Sequence, residues 1–226
     1  MLLLLLLIVA NLFGVGMIVP QITRLHRTKV AEGVSAPWVG VGMAMNFWWL
    51  NYGIQGQLWG LVPVSMGALI VYAVVAVQLR ALTGSRVLRP IALSALGTSL
   101  ALLTALGVAG WTAVGLTLGL AYGPQFAPAV FNALRSSSTA GVSRATWTMA
   151  SVEAVIWVIY GIAVADPALI IGGVGGTLMA LVILVRLWIG ELRRVLPNEL
   201  EVAFYGRGGL VEGEVVSEAV VRAAVG

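Results

Sequence analysis

Charge is what this chain has least of. Only 10% of its 226 residues are charged, 13 Lys and Arg against 9 Asp and Glu, while 60% are hydrophobic and the mean hydropathy is +1.00. A soluble domain carries about 25% charged residues, so a water-covered surface cannot be built here and a soluble enzyme is excluded. Cysteine is absent, which removes disulfides, thiolate metal sites and thiol catalysis. The single histidine, His26, excludes a multi-histidine metal cluster. No nucleophile–histidine pair, phosphate loop or metal-ligand spacing occurs, so no enzyme and no cofactor is expected. Lysine is confined to Lys29, an arginine bias that hints at a high-GC bacterial genome. The sequence pI near 10.0 is no nucleic-acid signature in so uncharged a chain, and reads instead as membrane topology.

What is present is apolar sequence in long blocks, at about 1–23, 36–55, 59–79, 90–108, 111–134, 145–165 and 168–189. Roughly 20 residues of helix cross about 30 Å of hydrocarbon. The expectation is an all-α membrane protein of seven transmembrane helices, since only helices or closed barrels satisfy their backbone in lipid and nothing here alternates as strands do. The leucine run at Met1–Leu7 has no basic flank and no small-residue cleavage site, so it reads as a first span. Residues 191–226, with six Glu and four Arg, read as a solvated tail.

Seven spans gather the basic residues on one side. Arg24, Arg27, Lys29, Arg80, Arg86, Arg89, Arg135, Arg144 and Arg186 all follow odd-numbered spans, and the opposite loops carry only Asp166. Six or eight spans would split them. The positive-inside rule then places the N-terminus outside and the C-terminus in the cytoplasm, in the plasma membrane of a bacterium.

The chain also repeats itself at an offset of 108 residues. Pro20, Arg27, Gly33-Val34-Ser35, Trp49 and Tyr52-Gly53 meet Pro128, Arg135, Gly141-Val142-Ser143, Trp157 and Tyr160-Gly161. Three spans therefore recur in the same direction, with the fourth as linker. The expected division is a first bundle at 1–80, loop and linker at 81–110, a second bundle at 111–190 and the tail at 191–226. Parallel repeats place a solute site at their interface, near the midplane. Gly123-Pro124-Gln125 spells a second Pro-Gln, but the register selects Pro128 as the mate of Pro20.

These motifs resemble the PQ-loop superfamily, and within it the SWEET and SemiSWEET transporters. Pro20-Gln21-Ile22 through Glu32-Gly33-Val34-Ser35 looks like a first PQ-loop. Phe47-Trp48-Trp49-Leu50-Asn51-Tyr52-Gly53 and Val155-Ile156-Trp157-Val158-Ile159-Tyr160-Gly161 are similar to that family's Trp-x-x-Tyr-Gly. The resemblance covers about 1–190. It implies two parallel three-helix bundles joined by a linker helix, a 3-1-3 plan, and a pocket passing a mono- or disaccharide down its gradient by alternating access. One pore per monomer suffices, and an oligomer is compatible. One departure stands out: the family's third helix presents an Asn to the sugar, whereas Val64-Ser65 and Gly172-Gly173 occupy those places here.

Several residues carry candidate chemistry. Trp49 and Trp157, mates about halfway along their helices, suit stacking on a sugar ring, or else anchor at the interface; Trp48 fits the anchoring role better. Glu153, the one acid well inside a span, lies one turn before Trp157 on the same face. Its mate is Met45. It is a protonated acid binding substrate, a proton-coupling site, or a structural partner for a helix-5 polar group. Asn46 supplies the missing amide or is helix–helix glue, and Ser65 occupies the third-helix position. Pro20 and Pro128 bend their helices as hinges or as static kinks. Ser35 and Ser143 are expected helix N-caps, and Asp166 an outer turn or cap. Besides the sugar uniporter, two alternatives stand: a proton-coupled exporter of an amino acid or other polar metabolite, as in the cystinosin branch, and a non-transporting receptor or accessory protein of the same fold.

Overall fold

A computed structural model describes the backbone at 1–17, 19–29, 31, 34–135 and 143–206; the side chains at 20, 21, 24, 28, 128, 132 and 192–206 lie outside the described set. The loop glycines Gly33 and Gly141 and residues 207–226 of the expected tail are therefore not described, and Pro20 and Pro128 are described through their backbone alone. Met1–Arg186 forms one compact unit and Leu187–Gly226 a second.

Every described element is helical. The order is α1 (Leu2–Gly16), α2 (Val19–Thr28), α3 (Ala36–Gln55), α4 (Leu61–Thr83), a 3-10 turn (Ser85–Val87), α5 (Leu88–Tyr122), a 3-10 turn (Pro124–Phe126), α6 (Ala127–Arg135), α7 (Arg144–Ala163) and α8 (Pro167–Gly206). Among the described residues, four helical stretches are long and apolar enough to cross a membrane: Leu61–Thr83, Ser85–Arg135, Arg144–Ala163 and Pro167–Glu191. Large apolar side chains on their outer faces are exposed, among them Ile70, Val77, Leu96, Leu100 and Leu178. Such a surface suits a protein whose solvent is lipid.

Two boundaries differ from the apolar blocks. The block 1–23 is not one helix: α1 ends at Gly16 and α2 starts at Val19. Pro20 is the second residue of α2, and Pro128 holds the same place in α6, after the 3-10 turn at Pro124–Phe126. A proline cannot donate to the preceding turn, so the helix breaks upstream of it, and in the first turn of the next helix its missing N–H costs nothing. The second boundary lies inside α5, where Ala109 (φ −144°, ψ 27°) and Gly110 (φ 67°, ψ −155°) leave helical geometry between blocks 90–108 and 111–134. Toward the C-terminus, helix assignment continues through Gly206, into the segment read as tail.

The 108-residue offset is written into the backbone. Ala36–Gln55 and Arg144–Ala163 occupy equivalent positions, each capped by a serine whose Oγ accepts from the third residue: Trp38 N to Ser35 at 3.3 Å, Thr146 N to Ser143 at 3.3 Å. Their C-termini close alike. Leu58 N donates to Gly53 O at 2.7 Å and Asp166 N to Gly161 O at 2.8 Å, while Gln57 and Ala165 both take φ 54°. This is the Schellman pattern, with a non-glycine residue in the left-handed position. Neighbouring helices repeat their crossings too. A Cβ on Gly53 would lie 3.1 Å from Leu61, and one on Gly161 would lie 2.9 Å from Leu169. Gly67 lies on Val15 of α1, as Gly175 lies on Gly123 at the end of α5.

The left-handed positions give paired predictions. Ala165→Gly is expected to raise the unfolding midpoint in detergent, because a side chain in the left-handed region costs about 1–2 kcal/mol. Gly110→Ala is expected to lower it, since its φ/ψ region is essentially glycine-only at about 1–3 kcal/mol. Circular-dichroism melts of both variants check the two signs.

Candidate functional site

One cavity of about 460 Å³ lies within the Met1–Arg186 unit. Its size is that of a small-molecule site. All five residues singled out for solute contact line it: Asn46, Trp49, Ser65, Glu153 and Trp157. The lining obeys the repeat. Eight pairs at the 108 offset face it together, among them Met45 with Glu153, Trp49 with Trp157, Leu61 with Leu169 and Ser65 with Gly173.

Helix periodicity explains how α3 and α7 present these groups. Residues three and four apart share a face, so Trp38, Met45 and Trp49 form one stripe, and Thr146, Ala150, Glu153 and Trp157 form its counterpart. Helices α4 and α8 add Val64-Ser65 and Gly172-Gly173. Ser65 is buried at 1% exposure.

Glu153 is the chemical centre. It is 3% exposed, and its Oε1 accepts from the indole Nε1 of Trp157 at 2.9 Å. Tyr122 of α5 donates to Oε2 at a loose 3.5 Å. A Cβ on Gly14 would fall 2.6 Å from Val64 and 2.7 Å from Oε1, so the glycine lets α1 lie close against the carboxylate. Gly14 is the repeat mate of Tyr122, as Met45 is of Glu153. Two substitutions between the halves therefore create one acidic pole.

The pole makes the two tryptophans unequal. Trp157 spends its N–H on Glu153, whereas the buried Nε1 of Trp49 has no hydrogen-bond partner. Asn46 donates an N–H to Gly42 O of its own helix at 2.9 Å, leaving less of its amide for a ligand. Asn51 does likewise to Phe47 O at 2.7 Å and lies away from the cavity. Trp48 is not a lipid-facing anchor. It is 5% exposed and packs on Trp111 across a 6.2 Å ring separation.

Further lining residues escaped the sequence reading. Trp38, Tyr72, Tyr122, Gln125, Phe126 and Trp147 all face the cavity. Tyr122, Phe126 and Trp147 form a chain of edge contacts at 5.6 and 5.8 Å, and Trp38 meets Tyr72 at 5.0 Å. Gln125 belongs to the Pro-Gln that does not match Pro20 in the repeat register. Its signal was the repeat itself, since its mate Met17 also lines the cavity.

The cavity reaches the first turns of α3 and α7 but not their last turns. At that far end Tyr52, a repeat-motif tyrosine, donates to Asp166 Oδ2 at 2.6 Å. Asp166 Oδ1 meanwhile caps α8, accepting from Leu169 N at 2.9 Å. The Tyr52 ring lies against Gly115, and the Tyr160 ring against Gly60. Each motif tyrosine thus crosses to the other half.

The unequal hydrogen bonding of the tryptophans is measurable. Trp157→Phe removes a donor from a buried carboxylate, a loss of about 1–3 kcal/mol. Trp49→Phe loses the same ring volume but only an unpartnered N–H, and is expected to destabilise less than Trp157→Phe. Equal destabilisation in detergent unfolding curves would contradict the geometry.

Searched against protein-family models and against curated proteins, the chain gives no match.

Proposed function

We propose that this chain is a small-solute transporter of SWEET type, with two three-helix bundles joined by a linker helix and the solute held between them. The observation that carries this reading is the cavity lined by eight residue pairs at one fixed offset. A packed core has no need of a hole on its pseudo-twofold axis, whereas alternating access puts the solute there. In this reading α1–α2, α3 and α4 build the first bundle. The helix at 88–108 is the linker, and the chain from 111 to 135 with α7 and α8 builds the second. Its outward surface, including Leu93, Leu96 and Leu100, suits a linker at the periphery.

The N-terminus lies outside, the C-terminus inside, and the protein resides in a bacterial plasma membrane. The end with Tyr52 and Asp166 is then the outer one, and their bond is a latch holding the outer mouth shut while the cavity extends toward the cytoplasm. The resemblance makes a mono- or disaccharide the first solute to test. Flux of labelled sugars and amino acids into proteoliposomes, with and without a pH gradient, tests transport itself. A protein that binds but moves nothing would instead be a receptor of this fold.

A second reading, proton-coupled export of an amino acid or other polar metabolite, is favoured by one observation, the buried carboxylate of Glu153 in the cavity wall. It predicts that transport responds to a pH gradient and that Glu153→Gln abolishes the response. Transport indifferent to pH in both proteins would eliminate coupling.

The latch gives its own prediction. A hydrogen bond to a charged group contributes about 1.5–3 kcal/mol, so Tyr52→Phe is expected to shift the conformational population toward the outward-open state about tenfold or more. The natural absence of cysteine allows a clean readout. A cysteine replacing Leu61, 4% exposed in the cavity wall, should react faster with an impermeant maleimide in the Tyr52→Phe background than in the parent.

A further inference from the structure

The cavity's chemistry is lopsided in a way that narrows the solute, provided the cavity is the solute site. Glu153 is the only charged side chain lining it among the described residues, and both hydrogen-bond partners of its carboxylate are neutral. A carboxylate has about four acceptor sites, so two bonds leave room for another donor. Among the described residues no Lys, Arg or His lines the cavity, and none of them supplies a counter-charge for Glu153.

The walls are rich in the groups that hold organic cations. Trp38, Trp49, Trp147, Trp157, Tyr122 and Phe126 surround the space. Aromatic faces attract ammonium groups, and indole does so best. A neutral hexose presents hydroxyls around its whole ring and would leave the charge of Glu153 uncompensated. The neutral polar side chains of the lining, Asn46, Ser65, Tyr72, Tyr122, Gln125 and Thr146, can hydrogen-bond a solute but cannot balance that charge. An amino acid would bring its own carboxylate beside Glu153, with no cation among the described lining residues to receive it.

We propose that the cavity binds a monovalent organic cation, an amine or quaternary ammonium without a carboxylate, with Glu153 as counter-charge and the indoles as its cage. Its single charge follows from Met45 standing where a second acid would complete the symmetry. The Nε1 of Trp49 is itself buried, so on the α3 stripe it is the indole face and not its N–H that is available to a ligand. Binding is then oriented by charge alone, with the cation toward Glu153 on α7.

Calorimetry on the purified full chain in detergent tests this with defined probes: choline chloride, tetramethylammonium chloride, 3,3-dimethyl-1-butanol and glucose, against a sodium chloride baseline. Choline and 3,3-dimethyl-1-butanol have nearly the same shape and differ in charge, so the unmodified protein answers without any variant. Choline is expected to bind at least tenfold tighter than the neutral alcohol and than glucose. Glu153→Gln should lower choline affinity at least tenfold, and it should lower tetramethylammonium affinity by a similar factor. Equal binding of choline and its neutral isostere, or choline affinity undisturbed by Glu153→Gln, would overturn the proposal. Proteoliposome flux separates it from the transport reading. Glucose flux with no choline binding defeats the cation proposal alone, whereas choline binding with no flux of any solute defeats transport alone.

Discussion

Each half of the molecule turns on one tight reversal, the Schellman closure that follows Gly53 and again Gly161. The six-residue hydrogen bond ends the helix on a left-handed residue and sends the next helix straight back along it. The missing Cβ on each glycine lets the returning helix approach to about 3 Å of that position, at Leu61 and at Leu169. Trp49 and Ser65, and at the matching positions Trp157 and Gly173, all line the cavity. Loosening the reversal would move the third helix of each half away from its tryptophan, and the lining would lose its pairing.

On this nearly symmetric frame the chemistry is asymmetric. Gly14 and Met45 in one half become Tyr122 and Glu153 in the other, and these two changes depend on each other. A carboxylate at 153 needs space, which Gly14 provides, and donors, which Trp157 and Tyr122 provide. In a low-dielectric interior an unpaired acid is expensive, so this cluster is stable only as a unit. The same pattern leaves Trp49 with an idle N–H, because its half has methionine where the acid would be.

Much of this frame is legible in the residues. The block 36–55 coincides with α3, and the offset of 108 predicts where α7 begins and ends, because identical caps and glycines impose identical hydrogen bonds. The division of α5 at Gly110 is legible as the gap between two apolar blocks. The break between Gly16 and Val19 is not, since hydropathy runs straight through it and only the downstream Pro20 marks it. Trp48 and Trp49 are indistinguishable by composition. Neighbours distant in sequence separate them, Trp111 taking one into the core while the other faces the cavity.

The sequence by itself determined that this is a helical chain with segments long and apolar enough to cross a membrane, that it contains one motif twice, and that the acid inside its apolar block 145–165 lies a turn from a tryptophan. These are properties of composition, period and spacing, which act along the chain. Only the tertiary structure decided that the acid faces a cavity, that Gly14 of a distant helix makes room for it, that Tyr52 reaches Asp166, and that of two matched tryptophans one N–H is spent and the other idle. Each of these depends on a side chain from the opposite half arriving within a few ångströms, and no local rule specifies such an encounter.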